Sequence, residues 1–528
     1  MARSYRPVDR DQQFLLPPDM SQWLGADHFV WFLIDVIDEF DMSVFEAGSR
    51  RGGVGRAAYD PRMLLGLLVY GYASGQRSAR RIEDLCRSDV AFRILCAQDA
   101  PDHTTIARFR QRHEQAVSEL FVQVLELAGQ AGMGRVGVVA IDGTKIAANA
   151  SGSANRRRSW LASQVEQMMA EAEQTDAAED AMFGDESGDR PTEPGWTDPT
   201  SRKERIKAAL ARTDAAEAAE AAGDDDRVAR WAERIDKARA NVERERARAK
   251  RGYDAYHAKK AKAARDGTTG PRGHCPDTPD DYAIVKIARD RLARVQNRHR
   301  RAAEHAAENA GDRDPRANIT DPDSGPMPIA GGFLQGYNAQ LAVADDQIIL
   351  AASVTTDTVD TGHYLPMTAA AQDGAQALNR GRQRSPNEAV KTKQDTIGTI
   401  VADAGYLSIE NLTADGPDRL IATRRRHKLE ADAKHAQDPA ADEHDDPTEP
   451  DDPREKMSRR LRTPEAMAIY RRRGVIVEPV NGHLKDRTGL RRFSRRGRPA
   501  VQAELDLAAA TTNLLKIWRH RHRTTKTK

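Results

Sequence analysis

Between about Asn155 and Arg316 the chain makes sparing use of large apolar residues and fills with Ala, Glu, Asp, Arg and Lys. A stretch of that composition cannot build a globular core of its own, so it divides whatever fold surrounds it. Runs such as RKERIKAALARTDAAEAAEAAG and DRVARWAERIDKARANVERERARAKRGYDAYHAKKAKAA combine high helix propensity with mixed-sign charge. They read as a helical hairpin or coiled-coil-like arm, broken at GDESGDRPTEPGWTDP. Partly disordered, solvated helices fit the same composition.

On the N-terminal side the pattern is helical. Apolar residues recur at three- and four-residue spacing in HFVWFLIDVIDEF and PRMLLGLLVYGYASG, with Pro61 suited to the first turn of the second helix and Gly75 to its end. RSARRIEDLCRSDVAFRIL and DHTTIARFRQRHEQAVSELFVQVLELAG read as two further helices, the latter opening on the caps Asp102 and Thr104. Arg77, Arg80 and Arg81, and then Arg108, Arg110 and Arg112, form two basic clusters that suit either phosphate contact or a solvated face.

Strand signals flank the arm. VGVVAIDGTKIAA predicts a strand with a tight turn or hairpin. GFLQGYNAQLAVA and QIILAASVTT predict a hairpin joined through Asp345 and Asp346, and a helix containing PMTAAAQDGAQAL follows. TIVADAGYL and DRLIATRR suit further strands. Glu430 to Pro453 is acidic, Pro-rich and loop-like, whereas from Lys456 onward basic residues outnumber acidic ones about four to one. TPEAMAIYRRR begins a helix at Thr463–Pro464, and AELDLAAATTNLLKIWRH predicts a final amphipathic helix.

Three carboxylates stand in distinctive frames: Asp142 in VVAIDGTKIAANAS, Asp403 in TIVADAGYLS and Glu478 in YRRRGVIVEPVNGHLK. Taken alone, each aspartate reads as a turn residue before glycine and the glutamate as a solvated helix residue. If folding brings the three together, they would repel one another unless hard cations such as Mg²⁺ offset the charge. Two such ions would suit chemistry on a nucleic-acid phosphate. Cys86, Cys96 and Cys275 are too few and too scattered for a disulfide framework, and His274 beside Cys275 lacks a second ligand pair for zinc. The N-terminal residues show no signal-peptide core and no apolar run is long enough to span a bilayer, so a cytoplasmic protein without a membrane partner is expected.

These motifs resemble those of DDE-type transposases of bacterial insertion sequences. YDPRMLLGLLVYGYASGQRSARRIEDLC and PDHTTIARFR are similar to that family's helical N-terminal domain, DGTKIAANAS to its first-aspartate motif, GYNAQLAV to its second strand and VADAGY to its second-aspartate motif. TPEAMAIYRRRGVIVEPVNGHLKDRTGLRRF is similar to the glutamate region. The resemblance implies an α/β multidomain protein: a helical DNA-binding domain over 1–130, then a ribonuclease H-like mixed sheet with helices over 131–154 and 318–429. The helical insertion 155–317 interrupts that sheet, an acidic loop follows at 430–456, and 457–528 carries the glutamate helix and a basic C-terminal helix.

The same resemblance implies a DNA transposase that binds terminal inverted repeats and cuts and joins DNA by transesterification. Asp142, Asp403 and Glu478 would bind two Mg²⁺ ions, with Mn²⁺ able to substitute. Tyr470, Arg473 and Lys485 would contact DNA near the cut end, alongside the basic clusters and Arg491 and Arg492, in a homodimer on double-stranded DNA. The alternatives are a stand-alone metal-dependent nuclease and an inactive transposase-derived DNA-binding protein. Two departures from the motif stand out. The Arg473-to-Glu478 interval is one residue longer than in its best-known form, and Pro479 disfavours a continuous helix, which places Glu478 at the beginning of one.

Overall fold

The structure is a computed structural model that describes residues 19–47, 58–183, 199–271, 275–392, 395–424, 426–435 and 452–526. His274 and residues 436–451 of the acidic segment lie outside the described residues. The chain divides into two compact units, one of residues 1–154 with 320–528 and the other of residues 155–319.

The first unit holds a six-stranded mixed sheet. Its central strand, β1 (Val138–Ala147), is followed in the second unit by the short β2 (Asn155–Arg157) and β3 (Arg316–Asn318). The first unit then continues with β4 (Gly325–Ile329), β5 (Gly332–Ala344), β6 (Ile349–Thr355), β7 (Thr399–Ala402) and β8 (Asp418–Ile421). The order across the sheet is β4-β5-β1-β7-β8, with β6 also paired to β5. β5 runs antiparallel to β1, whereas β7 is parallel to β1 and β8 to β7. The apolar run Val138 to Ile141 is buried throughout, as a strand covered on both faces requires.

The N-terminal helices and this sheet share one hydrophobic core. Asp60 caps the Pro61–Ala73 helix, and Gly75 after its end takes the left-handed conformation (φ 75°) that a side chain would resist. Each of the two longer helices expected next is divided. Asp89 stops the first and caps the second of Ala79–Ser88 and Val90–Leu95, accepting from the amides of Ala91 and Phe92. The other breaks at His113 (φ −109°, ψ 33°) into His103–Arg112 and Glu114–Gln130.

The final helix, Arg498–Lys526, corrects a second expectation, because it is buried on every side from Val501 to Leu515 instead of being amphipathic. It packs against the Glu114–Gln130 helix, the Pro61–Ala73 helix and β6, so it joins the helical and sheet parts. Its Glu504 side chain is fully buried and fully answered. Arg77 Nη1 donates to it at 2.6 Å, the Ser494 hydroxyl at 2.9 Å, and the amides of Ser494 and Arg495 at 2.9 and 3.1 Å.

The second unit is helical: Arg158–Phe183, Pro199–Asp266 and Ala283–Asp312. Leu161, Ile206, Ala209 and Ala317 form a small cluster at its base. There β2 and β3 pair antiparallel, and Asn318 Nδ2 donates to Asn155 Oδ1 at 2.8 Å. No helix among the described residues is long and apolar enough to cross a membrane.

Candidate active site

β1 does not turn at Asp142–Gly143, as the sequence suggested, but runs straight through. The β1–β7 register pairs Ala140 with Val401, and the same offset places Asp142 level with Asp403, just past the end of β7. Asp403 keeps its turn role as well, since its carboxylate accepts from the Gly405 amide at 2.8 Å and caps a short 3-10 turn. The two aspartates are thus neighbours, Asp142 in the middle of β1 and Asp403 just past the end of the parallel β7, one mostly buried and one half exposed.

A cation lies between them. Arg473 Nη2 donates to Asp142 Oδ1 at 2.7 Å and stands 3.5 Å from Asp403 Oδ2, while Asn481 Nδ2 donates to Asp142 Oδ2 at 3.1 Å. Burial pushes the Asp142 carboxyl up to about 6; Arg473 pulls it down and the Asp403 charge pushes it further up. Burial also works against the charge of Arg473, but the two aspartates more than offset this and its pKa is raised.

Arg473 and Asn481 both belong to the helix Pro464–Gly482, which continues through Pro479. This corrects the expectation that Glu478 begins a helix. Pro479 lacks the N–H that would bond the Val475 carbonyl. That carbonyl instead accepts from Gln347 Nε2 at 3.0 Å, from the turn between β5 and β6. Lys516 Nζ holds Gln347 in turn, through its carbonyl at 2.8 Å and its Oε1 at 3.1 Å. The helix then loosens into one wide π turn, His483–Arg487, from which the Lys485 ammonium donates to Thr144 Oγ1 on β1. Burial and Arg491 lower the Lys485 pKa, with Asp142 opposing.

The structure brings Asp142, Asp403, Arg473 and Lys485 together, but it does not bring Glu478 among them. That glutamate is exposed and has no hydrogen bond or ion pair among the described residues. Nor does any group of three His, Cys, Asp or Glu side chains there stand ready to hold a metal. Tyr470 is buried in the core. Arg77 is bound internally to Glu504 and to the carbonyls of Gly489 and Arg492, and Arg110 to the Arg77 carbonyl. Arg80, Arg81, Arg108 and Arg112 are exposed. Arg491, which pairs with Asp486, and Arg492, which bonds the Ala148 carbonyl, are exposed on a loop stitched to the end of β1 by Ala147 and Phe493.

One residue of the site had no sequence signal. Asp360 Oδ1 accepts from Asn338 Nδ2 and Gln340 Nε2, both at 2.7 Å, and Tyr406 fixes the other end of the Gln340 amide. A Cβ on Gly143 would stand 2.8 Å from Asp360 Oδ1, and one on Gly405 would stand 3.2 Å from Asp360 Oδ2. The glycines that follow the two aspartates therefore make room for a third carboxylate. β5 is polar at Asn338 and Gln340 as it is at Gln335, so that polarity did not single out Asp360.

A mixed sheet that presents aligned aspartates to a cationic helix defines an α/β protein with an acidic site. Residues 18–112 match the family model of a transposase domain (DUF772), and residues 318–514 match that of the transposase DDE domain. The chain belongs to the DDE transposases of insertion sequences, whose DDE domain implies a ribonuclease H-like fold, a DNA substrate and the use of divalent metal ions. The DDE match takes in Asp403 and Glu478 and begins at the last residues of the arm, which separates it from Asp142. Comparisons with curated proteins and with solved structures give no match.

Proposed function

We propose that this transposase binds the terminal inverted repeats of its element and cuts and rejoins DNA by metal-dependent transesterification, with Asp142, Asp403 and Glu478 as the acidic residues. The observation that carries the reading is the level placement of Asp142 and Asp403 on neighbouring strands with one side-chain cation between them. Both offer hard oxygen donors, as Mg²⁺ or Mn²⁺ requires, and the positive charge they share belongs to an arginine that rotation about its own bonds can withdraw. Glu478 would complete the set from the same helix, and its exposure means that this helix must shift or turn the glutamate inward. Bound ions would activate a water or a 3′-hydroxyl and stabilise the leaving oxygen.

The remaining roles fall to the chain's own groups. Arg473 holds the aspartates' charge in the DNA-free protein and is placed to pass to a phosphate when DNA arrives. Lys485 and Thr144 brace the helix against β1. Asp360 acts as a positioning residue, packed against the glycines beside both aspartates. An open groove of about 550 Å³, lined in part by Asn149, Phe333, Arg492 and Arg496, offers a path for a strand beside the site. The exposed Arg80, Arg81, Arg108 and Arg112 suit the repeat's backbone, and two subunits would pair the two ends. Arg77 and Arg110 serve by holding the basic loop in place.

The test is cleavage and strand transfer in Mg²⁺ on a plasmid bearing the gene with its own flanking DNA. Wild type should excise and rejoin, whereas Asp142→Asn, Asp403→Asn and Glu478→Gln should bind without cutting. Full cutting by Glu478→Gln would remove that residue from the site. Cutting without joining would make the protein a nuclease, and binding without cutting an inactive descendant.

A further inference from the structure

Within the helical unit, Pro199–Asp266 and Ala283–Asp312 pack along a heptad seam. Ile235, Val242 and Ala249 are buried seven residues apart on one helix, and Val285 and Ala288 on the other are followed by the half-buried Leu292 and Val295. Positions flanking such a seam ordinarily pair opposite charges across it. On one flank here the two helices meet with the same sign: Arg234 and Lys237 face Arg291, Arg294 and Arg298 across a groove of about 680 Å³ that no acidic side chain lines.

Elsewhere in the unit several arginines meet carboxylates from other segments. Arg158 pairs with Asp214 and Glu217, Arg313 with Asp224, and Arg246 and Arg289 with Asp280. In the groove Lys237 reaches only Glu233 on its own helix, and Arg294 only the Asp290 carbonyl. Arg234 and Arg298 lie over the Trp231 ring at 4.6 and 5.6 Å from its centroid, which fixes two guanidinium groups without neutralising either. Arg291 has no hydrogen bond or ion pair among the described residues.

We propose that this groove binds the phosphodiester backbone of duplex DNA, giving the transposase a DNA contact outside its catalytic unit. The proposal rests on DNA being the substrate. A row of like charges held at a seam is repulsive by itself, and a polyanion relieves that repulsion while the arginines pair with its phosphate oxygens. The spacing along two helices follows a continuous line of phosphates better than a single small anion. Contacts to phosphate oxygens carry no sequence information directly, so the contact is independent of sequence.

The test measures binding of the full-length protein to a labelled random-sequence duplex by fluorescence anisotropy between about 50 and 200 mM salt. Combining Arg234→Gln, Arg291→Gln and Arg298→Gln removes three phosphate contacts, so the slope of log affinity against log salt should become shallower by about 2.7. Across that salt range the affinity lost should shrink about 40-fold, and Lys at the same three positions should restore the slope. An unchanged slope overturns the proposal. If the slope holds while light scattering shows lost self-association, the groove meets a second copy of the chain instead. Asp142→Asn, which should suppress cutting, should keep the wild-type slope, so failure of the catalytic assignment and failure of the groove give different results.

Discussion

The compact unit and the arm contain the same cations and treat them in opposite ways. In the compact unit a buried charge is answered by named partners: Arg77 by Glu504, and Arg473 by Asp142 and Asp403. Along one flank of the arm, guanidinium groups stand together with no carboxylate among them. Burial forces the first arrangement, because an unanswered charge in a low-dielectric core is costly, and water permits the second. The two proposed sites fall where each rule is under strain: at an acidic pair, one mostly buried and one half exposed, that depends on one arginine, and in a groove whose charge is left over.

The comparison is tested most severely at the acidic pair. Asp142→Asn should lower cutting by roughly a thousandfold or more, about 4 kcal/mol of barrier, while leaving duplex binding intact in a gel-shift assay. Next comes the buried pair that holds the helices to the sheet. Arg77→Ala or Glu504→Ala should each cost about 3–5 kcal/mol in urea unfolding, and the double variant should cost well below the sum. Additive losses would mean that the two side chains are not partners.

Asp506 sharpens the contrast, because it is buried with hydroxyl and amide partners and no cation. Ser118 and Gln502 donate to it at 2.7 Å each, and burial pushes it up to about 6. A raised carboxyl favours folding most below its unfolded value of about 3.9, and that contribution is lost as pH rises through about 6. Wild type should therefore lose stability across this window relative to Asp506→Asn, as thermal melts at a series of pH values would show. Parallel curves would remove Asp506 from the account.

Smaller still is Gln347→Ala, which frees the partly solvated Val475 carbonyl and should cost about 1 kcal/mol. In a Pro479→Ala background, where the backbone N–H can fill that carbonyl, the cost should fall. The least effect is expected for neutralising the arm's groove. Glutamine at Arg234, Arg291 and Arg298 should change the arm's melting temperature only slightly, since the repulsion it removes is offset by the contacts of Arg234 and Arg298 with the Trp231 ring that it also removes.

What could be read from the sequence was whatever a short window encodes. The buried runs before Asp142 and Asp403, the Asp60–Pro61 and Thr463–Pro464 helix starts, and the β5–β6 hairpin all follow from local propensity. Asp89 is a capping residue inside a helical pattern, a signal that was present and outweighed by periodicity. Partners supplied from elsewhere in the chain were not legible. Nothing near Arg77 says that its carboxylate is Glu504, nothing near Pro479 says that Gln347 will bond the carbonyl it leaves free, and Asp360 lies in a polar stretch that looks like any other turn. The position of Glu478 was also beyond reach, because it depends on whether the helix bends at proline, and a side chain from another hairpin decides that.

The arm begins and ends on a hydrogen-bonded pair, Asn155 and Asn318, which are 163 positions apart in the chain. That has a consequence for the order in which the protein folds. Joining the ends of an unstructured loop of that length costs about 4–5 kcal/mol in chain entropy, which would fall on the step that unites β1 with β5 and β7. A helical hairpin closes through local contacts and forms quickly. If the arm zips first, its paired ends shorten the loop that separates β1 from β5 and β7, and the insertion that looks like an interruption in sequence acts as a splint during folding.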